Sequence, residues 1–156
     1  MKIIVTAFAL MLLLTGCDNK CCTIYSTDII LKFQNSNGEN LLDPSTSNAL
    51  KKEDIEVYVL KKGARILLFD NGIHAPKNFE IYGSSTQSYY LKFYFNIAEE
   101  YFTEKKVTMF LKYKDGSEDK LVGEFNNNKG TNIMLQNVWI NDIAMGSRSQ
   151  AFILKK

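Results

Sequence analysis

Apolar and polar residues alternate in short runs along most of the chain after residue 26. The clearest run is residues 88–96, which places Phe93 and Phe95 on one face. The opposite face of the same run carries Tyr90, Lys92 and Tyr94. A repeat of two residues is the pattern of a β-strand, because successive side chains point to opposite sides of a sheet. Similar runs predict strands at residues 27–34, 54–61, 64–69, 77–82, 106–114, 120–125, 132–140 and 150–154.

Turn signals separate these runs at short and regular intervals. Lys62-Gly63 and Asp115-Gly116 are typical of hairpin turns, and no stretch has the repeat of a long amphipathic helix. About eight or nine short strands at such spacing predict an all-β domain. We expect a single antiparallel β-sandwich of immunoglobulin-like or transthyretin-like kind. A lipocalin-like barrel is the alternative, because aromatic residues face both sides of several predicted strands.

The first residues follow a different pattern. Met1-Lys2 supplies a positive charge, residues 3–14 are almost continuously apolar, and Leu14-Thr15-Gly16-Cys17 closes the run. This order of basic, apolar and small residues is typical of a secretory signal peptide. The apolar run is too short to cross a hydrocarbon core of roughly 30 Å comfortably. We therefore expect residues 1–16 to be a signal peptide rather than a membrane span.

The sequence Leu14-Thr15-Gly16-Cys17 resembles the lipobox of bacterial lipoproteins. In that family the cysteine thiol receives a diacylglycerol, the chain is cut before the cysteine, and the new amino terminus is usually acylated, as with palmitate. The resemblance implies lipidation of Cys17, a membrane partner through that lipid, and attachment in the cell envelope, with the outer membrane as the expected location. It divides the chain into a signal peptide (1–16), a lipidated tether (17–26) and a β-sandwich domain (27–156).

Three looser motifs resemble those of small bacterial envelope lipoproteins of unassigned function. They are the loop at residues 38–44, which contains Leu41-Leu42-Asp43-Pro44, the strand start at residues 54–58, and Val138-Trp139-Ile140-Asn141. This resemblance implies an envelope location and a β fold. It provides no catalytic or binding residues.

Charge and cysteine usage narrow the range of partners. The chain has 19 Lys and Arg residues against 17 Asp and Glu residues, a net charge of +2. Such a balance argues against a nucleic-acid partner, which would require a basic surface. Cys21 and Cys22 are neighbours in the tether, and a disulfide between them would be strained because a trans peptide holds their Cα atoms about 3.8 Å apart. A strained bond, an intermolecular bond or a plain tether all remain open for this pair.

Candidate chemical groups are sparse. His74 is the only histidine, and no nucleophile motif surrounds it. Glu99-Glu100 and Glu118-Asp119 are adjacent acids, which we interpret as solvated surface. Asp70-Asn71-Gly72 and residues 115–119 supply oxygen atoms of the kind that calcium binds, but turn formation explains both stretches. We therefore predict no catalytic residue, no metal and no cofactor.

One face of the strand at residues 88–96 is the best candidate for binding. Tyr90, Lys92 and Tyr94 lie opposite the apolar face, and a lysine between two tyrosines argues against deep burial. If Tyr58 and Phe110, on other strands, gathered with them on one exposed sheet, the aromatic rings could stack on sugar rings or anchor a protein partner. The alternative is that loops cover this face. We expect a non-catalytic binding or structural module for a protein or glycan partner; the alternative is an enzyme acting on envelope polymer or polysaccharide.

Overall fold

A computed structural model describes residues 24–70, 72, 75–84, 86–130, 132–146 and 150–156. The predicted signal peptide lies outside the described residues, as do Cys17, the pair Cys21 and Cys22, and His74. In the described ranges, no helix is long and apolar enough to cross a bilayer.

The described residues form twelve strands and two short 3₁₀ turns. The 3₁₀ turns are Lys52–Asp54 and Glu99–Tyr101. The first six strands are β1 (Ile24–Ser26), β2 (Asp28–Gln34), β3 (Ile55–Lys61), β4 (Ala64–Leu67), β5 (Phe79–Ser84) and β6 (Gln87–Tyr94). The other six are β7 (Phe102–Thr103), β8 (Lys106–Tyr113), β9 (Glu118–Phe125), β10 (Asn132–Ile140), β11 (Ile143–Gly146) and β12 (Phe152–Lys155).

The strands make two sheets. The larger sheet has the order β1-β10-β9-β8-β3-β4, with β11 paired to β10 and β7 paired to β8. The smaller sheet has the order β12-β2-β6-β5. All pairs are antiparallel except β1 with β10 and β12 with β2, which are parallel. The predicted two-sheet sandwich is confirmed and the barrel alternative is wrong, because neither sheet of the described residues closes on itself.

Buried apolar residues of both sheets form one core cluster. Phe33, Phe93 and Phe125 each have about 1% or less of their surface exposed. Phe95 lies between the sheets, with ring centroids 5.3 Å from Phe93 and 5.9 Å from Phe125 in edge-to-face geometry. Gly123 makes room for it, since a Cβ atom there would come within 3.0 Å of the Phe95 ring. The predicted core positions Phe93 and Phe95 are therefore confirmed.

The sandwich begins before the boundary that the sequence predicts. Ile24, Tyr25 and Ser26 fall within the predicted tether, yet they form β1 and pair in parallel with residues 132–134 of β10. The chain then passes into the smaller sheet through Thr27 alone. Alternation did not predict this strand, because three mostly exposed residues at a sheet edge have no buried face to mark them.

Two substitutions on β6 test the assignment of its faces. Phe93→Ala should lower the free energy of unfolding by about 3–5 kcal/mol, because the ring is fully buried between the sheets. Tyr94→Ala should lower it by only about 1 kcal/mol, since its side chain is half-exposed on the opposite side of the strand. Urea denaturation of both variants measures the difference. Equal, large losses would mean that the outer side of β6 is buried as well.

Candidate functional site

The outer side of the smaller sheet carries the predicted binding residues. Leu91 and Phe93 of β6 point into the core, so Tyr90, Lys92 and Tyr94 point outward, and all three are half-buried. The neighbouring strands add further side chains through the register of the sheet, which pairs Tyr82 with Tyr90, Glu80 with Lys92 and Asp28 with Tyr94. We call this surface the tyrosine face, and it consists of Asp28, Glu80, Tyr82, Tyr90, Lys92 and Tyr94.

Two tyrosines of this face form a cross-strand stack. The ring centroids of Tyr82 and Tyr90 lie 5.6 Å apart, and their planes differ by 22°. The register of β5 shifts directly after Tyr82, at Gly83, whose φ is +151°. A Cβ atom at Gly83 would lie 2.4 Å from the ring of Tyr89, which packs against the core. Gly83 therefore leaves room for Tyr89 while Tyr82 and Tyr90 stack on the outside.

Each charged group of the tyrosine face has a partner within the face. The Lys92 ammonium lies 3.3 Å from the Asp28 carboxylate and 5.3 Å from the centre of the Tyr94 ring. Burial opposes the charged form of Lys92, but Asp28 outweighs this and raises the pKa of the ammonium group. Tyr82 donates a hydrogen bond of 2.7 Å to Glu80, which raises the pKa of its phenol. The face thus presents a lysine paired with a carboxylate beside three tyrosine rings.

Tyr58 and Phe110 do not lie on this face, so the condition for a larger shared aromatic surface is not met. They pair with each other on the outer side of the larger sheet, in β3 and β8. Phe110 is only 7% exposed, because the Arg65 guanidinium lies 3.9 Å from its ring centre. Glu118 holds that guanidinium through two hydrogen bonds of 2.6 and 2.9 Å. Phe110 is therefore covered by a salt bridge.

Asp119 is the single buried polar or charged residue in the described part of the chain. Its carboxylate accepts hydrogen bonds from Tyr113 Oη at 2.7 Å, Asn141 Nδ2 at 2.7 Å and Lys156 Nζ at 2.5 Å. The Lys156 ammonium also lies 3.9 Å from the centre of the Tyr113 ring. The interpretation of Glu118-Asp119 as solvated surface was therefore wrong for Asp119. Asp119 lies on the same side of β9 as the buried Leu121, so the two-residue repeat already indicated an inward-facing side chain.

The environment of Asp119 favours its charged form. Burial by itself would raise the pKa of this carboxyl, but the hydrogen bonds from Lys156, Asn141 and Tyr113 outweigh it, so the pKa lies below its usual value. The same contacts connect the two sheets. Lys156 follows β12 of the smaller sheet, whereas Tyr113 ends β8 and Asn141 follows β10 in the larger sheet. Asp119 therefore links the two sheets.

The acidic turns serve local structure. Asp115 Oδ1 accepts hydrogen bonds from the backbone N–H and the hydroxyl of Ser117, at 2.9 and 2.7 Å. Asp70 Oδ1 accepts one from the backbone of Gly72 at 2.8 Å. Within the described ranges, no group of three or more His, Cys, Asp or Glu side chains is placed to hold a metal ion.

Comparison with protein families, with curated proteins and with solved structures finds no match for this chain.

The link between the sheets predicts a pH-dependent loss of stability. Lys156→Met should lower the free energy of unfolding by about 3 kcal/mol at pH 7, because it leaves a buried carboxylate without its cation. The pKa of Asp119 is lower in the folded state than in the unfolded state, where it is about 3.8. The ionised carboxylate therefore stabilises the fold above that pH, and this contribution disappears as the pH falls through the pKa of the folded state. The gap between wild type and Lys156→Met should therefore narrow in acid.

Urea denaturation at neutral pH and at about pH 2.5, below the usual carboxyl pKa, measures both effects. Lys155→Met is the matched control, since Lys155 is the preceding residue and is exposed. It should change stability by no more than about 0.5 kcal/mol. An equal loss in the two variants, or a loss for Lys156→Met that is the same at both pH values, would contradict the role of the Lys156–Asp119 pair.

Proposed function

We propose that this chain is a lipid-anchored protein of the bacterial cell envelope and that its β-sandwich binds a glycan on the tyrosine face, without catalysing a reaction. The observation that carries the binding proposal is the set of three half-exposed tyrosines arranged around one paired lysine on a single open sheet. The anchoring proposal is supported by the resemblance of Leu14-Thr15-Gly16-Cys17 to the lipobox.

Lipidation would hold the sandwich close to the bilayer. Residues 18–23 are the only ones between Cys17 and the first strand at Ile24. At no more than about 3.5 Å per residue, this segment reaches about 25 Å from the lipidated cysteine. A thioether-linked diacylglycerol provides two acyl chains, and two chains anchor a protein stably where one does not. We place the protein at the outer membrane, with the sandwich beside the membrane surface.

The composition of the tyrosine face favours a glycan over a protein. The centres of protein interfaces are depleted in lysine, glutamate and aspartate. Here Lys92, Glu80 and Asp28 lie among the tyrosines, so a protein partner would have to desolvate them. A sugar ring suits this mixture, because its C–H face packs on an aromatic ring while its hydroxyls exchange hydrogen bonds with the charged groups. The nearly balanced net charge argues against nucleic acid.

The placement of Glu118 and Asp119 argues against a glycosidase site at this pair. Glycoside hydrolysis requires two carboxyl groups that face one substrate across roughly 5–9.5 Å. Glu118 is bound to Arg65 on the outer side of the larger sheet, while Asp119 points into the core and accepts hydrogen bonds from three neighbours. This adjacent pair therefore does not supply such a site.

Substitution of Cys17 tests the anchor. Cys17→Ala should abolish incorporation of a labelled palmitate analogue and leave the precursor uncut, because the thiol that receives the diacylglycerol is gone. Cys21→Ala is the control and should be labelled and processed normally. Metabolic labelling followed by electrophoresis gives the result, and continued labelling of the Cys17→Ala protein would refute lipidation at this position.

Removal of two tyrosine rings tests the binding face. In a pull-down with insoluble envelope glycan, the full-length Tyr90→Ala/Tyr94→Ala protein in detergent should bind at least about tenfold more weakly than wild type, which corresponds to about 1.4 kcal/mol. Tyr58→Ala removes a half-buried tyrosine from the other sheet and should bind normally. Unchanged glycan binding by the double variant would refute the proposal. It would also be refuted if cross-linking captured a protein partner on the wild-type protein and not on the double variant.

A further inference from the structure

A cavity of about 300 Å³ opens beside the turn between β8 and β9. Four parts of the chain line it: Asn35 after β2, the loop at residues 41–50, residues 113–117 at the turn, and Lys156 after β12. None of its lining residues belongs to the tyrosine face. Its volume is at the lower end of the range for small-molecule sites, so it suits a ligand of about one ring.

Both walls of the cavity are held by hydrogen bonds within the protein. Leu50 N–H donates to the Leu41 carbonyl at 2.7 Å, which closes the loop at its base. Inside the loop, the Asp43 carboxylate accepts the backbone N–H of Ser45 at 2.9 Å. The opposite wall is the turn that Asp115 stabilises. A ligand would therefore enter a site that is already formed.

The lining combines an apolar side with unused polar groups. Leu41, Leu50 and Tyr113 supply the apolar side. Ser47 and Asn48 lie at the exposed rim, and the described residues offer no hydrogen-bond partner to either side chain. A hydroxyl and a primary amide both donate and accept, so the rim suits a ligand that has several hydroxyl groups.

Both lysines of the lining already have carboxylate partners. Lys156 is paired with Asp119 at 2.5 Å, and Lys114 is paired with Asp54 at 3.1 Å. Asp115 accepts two hydrogen bonds from Ser117. An anionic ligand would have to displace Asp119 or Asp54 from a lysine, whereas a neutral ligand would not. We propose that this cavity binds a single neutral sugar unit, whose C–H face contacts the leucines and whose hydroxyls contact Ser47 and Asn48.

This inference goes beyond the proposed function, because it depends on a different set of residues. Binding in the cavity and binding on the tyrosine face are measured by different variants, so either proposal can fail alone. The Tyr90→Ala/Tyr94→Ala protein should retain the cavity site in full.

Titration of the full-length protein in detergent with free monosaccharides tests the cavity. The probes are glucose, galactose and mannose, each with its uronic acid as the anionic counterpart, and the readout is calorimetry or chemical-shift change. At least one neutral sugar should bind saturably with a Kd of about 10 mM or lower. The uronic acid of that sugar should bind at least tenfold more weakly.

Two variants locate the site. Ser47→Trp should block the mouth of the cavity, and Asn48→Gly should remove the amide while keeping a residue suited to the local φ of +59°. Each should weaken binding at least tenfold, whereas Asn127→Trp, in the exposed turn between β9 and β10 and outside the cavity lining, should not. The proposal would be overturned if no neutral sugar bound saturably, if a uronic acid bound at least as tightly as its neutral sugar, or if both variants kept their affinity.

Discussion

Burial of one side of β6 between the two sheets determines the outer surface of the smaller sheet. Leu91 and Phe93 are fully buried. Because side chains of a strand alternate between its two sides, Tyr90, Lys92 and Tyr94 must face outward. A shift of one residue would bury Lys92 and expose Phe93, which the core does not permit. The position of the three side chains proposed to bind a glycan is therefore a consequence of core packing. Core packing also accounts for their regular spacing along the strand.

The two sheets differ in how far charged side chains cover the aromatic rings on their outer sides. On the larger sheet, Arg65 lies over Phe110 and is held there by Glu118, so the ring is almost hidden. On the smaller sheet, Lys92 is drawn toward Asp28 and lies 5.3 Å from the Tyr94 ring centre, and the tyrosines keep part of their surface exposed. A partner that stacks on aromatic rings would find more accessible ring surface at Tyr82 than at Phe110. This difference depends on ion pairs between strands that are distant in sequence.

Sequence reasoning succeeded where the information was local to a strand. The alternation at residues 88–96 predicted both faces of β6, and the hairpin signal Asp115-Gly116 lies in the turn between β8 and β9. Sequence reasoning failed where contacts from another segment determine whether a side chain is buried. The burial of Phe110 depends on Arg65 in β4, and the burial of Asp119 depends on Lys156, 37 residues later. Alternation shows that a residue faces inward or outward, but it does not show which strand lies beside it or which charge will meet it.

The path of the chain relates the two proposed sites to the membrane. β1 lies beside the start of β10, at Asn132, whereas the turn that lines the cavity lies at the opposite end of the larger sheet, beyond the pairing of β9 with Ile140. At about 3.3 Å per residue, the length of β10 separates these ends by about 26 Å. If Cys17 carries lipid, the short tether draws the β1 end toward the bilayer. The cavity would then open away from the membrane, where a glycan of the envelope can reach it, while the tyrosine face would lie along the side of the sandwich.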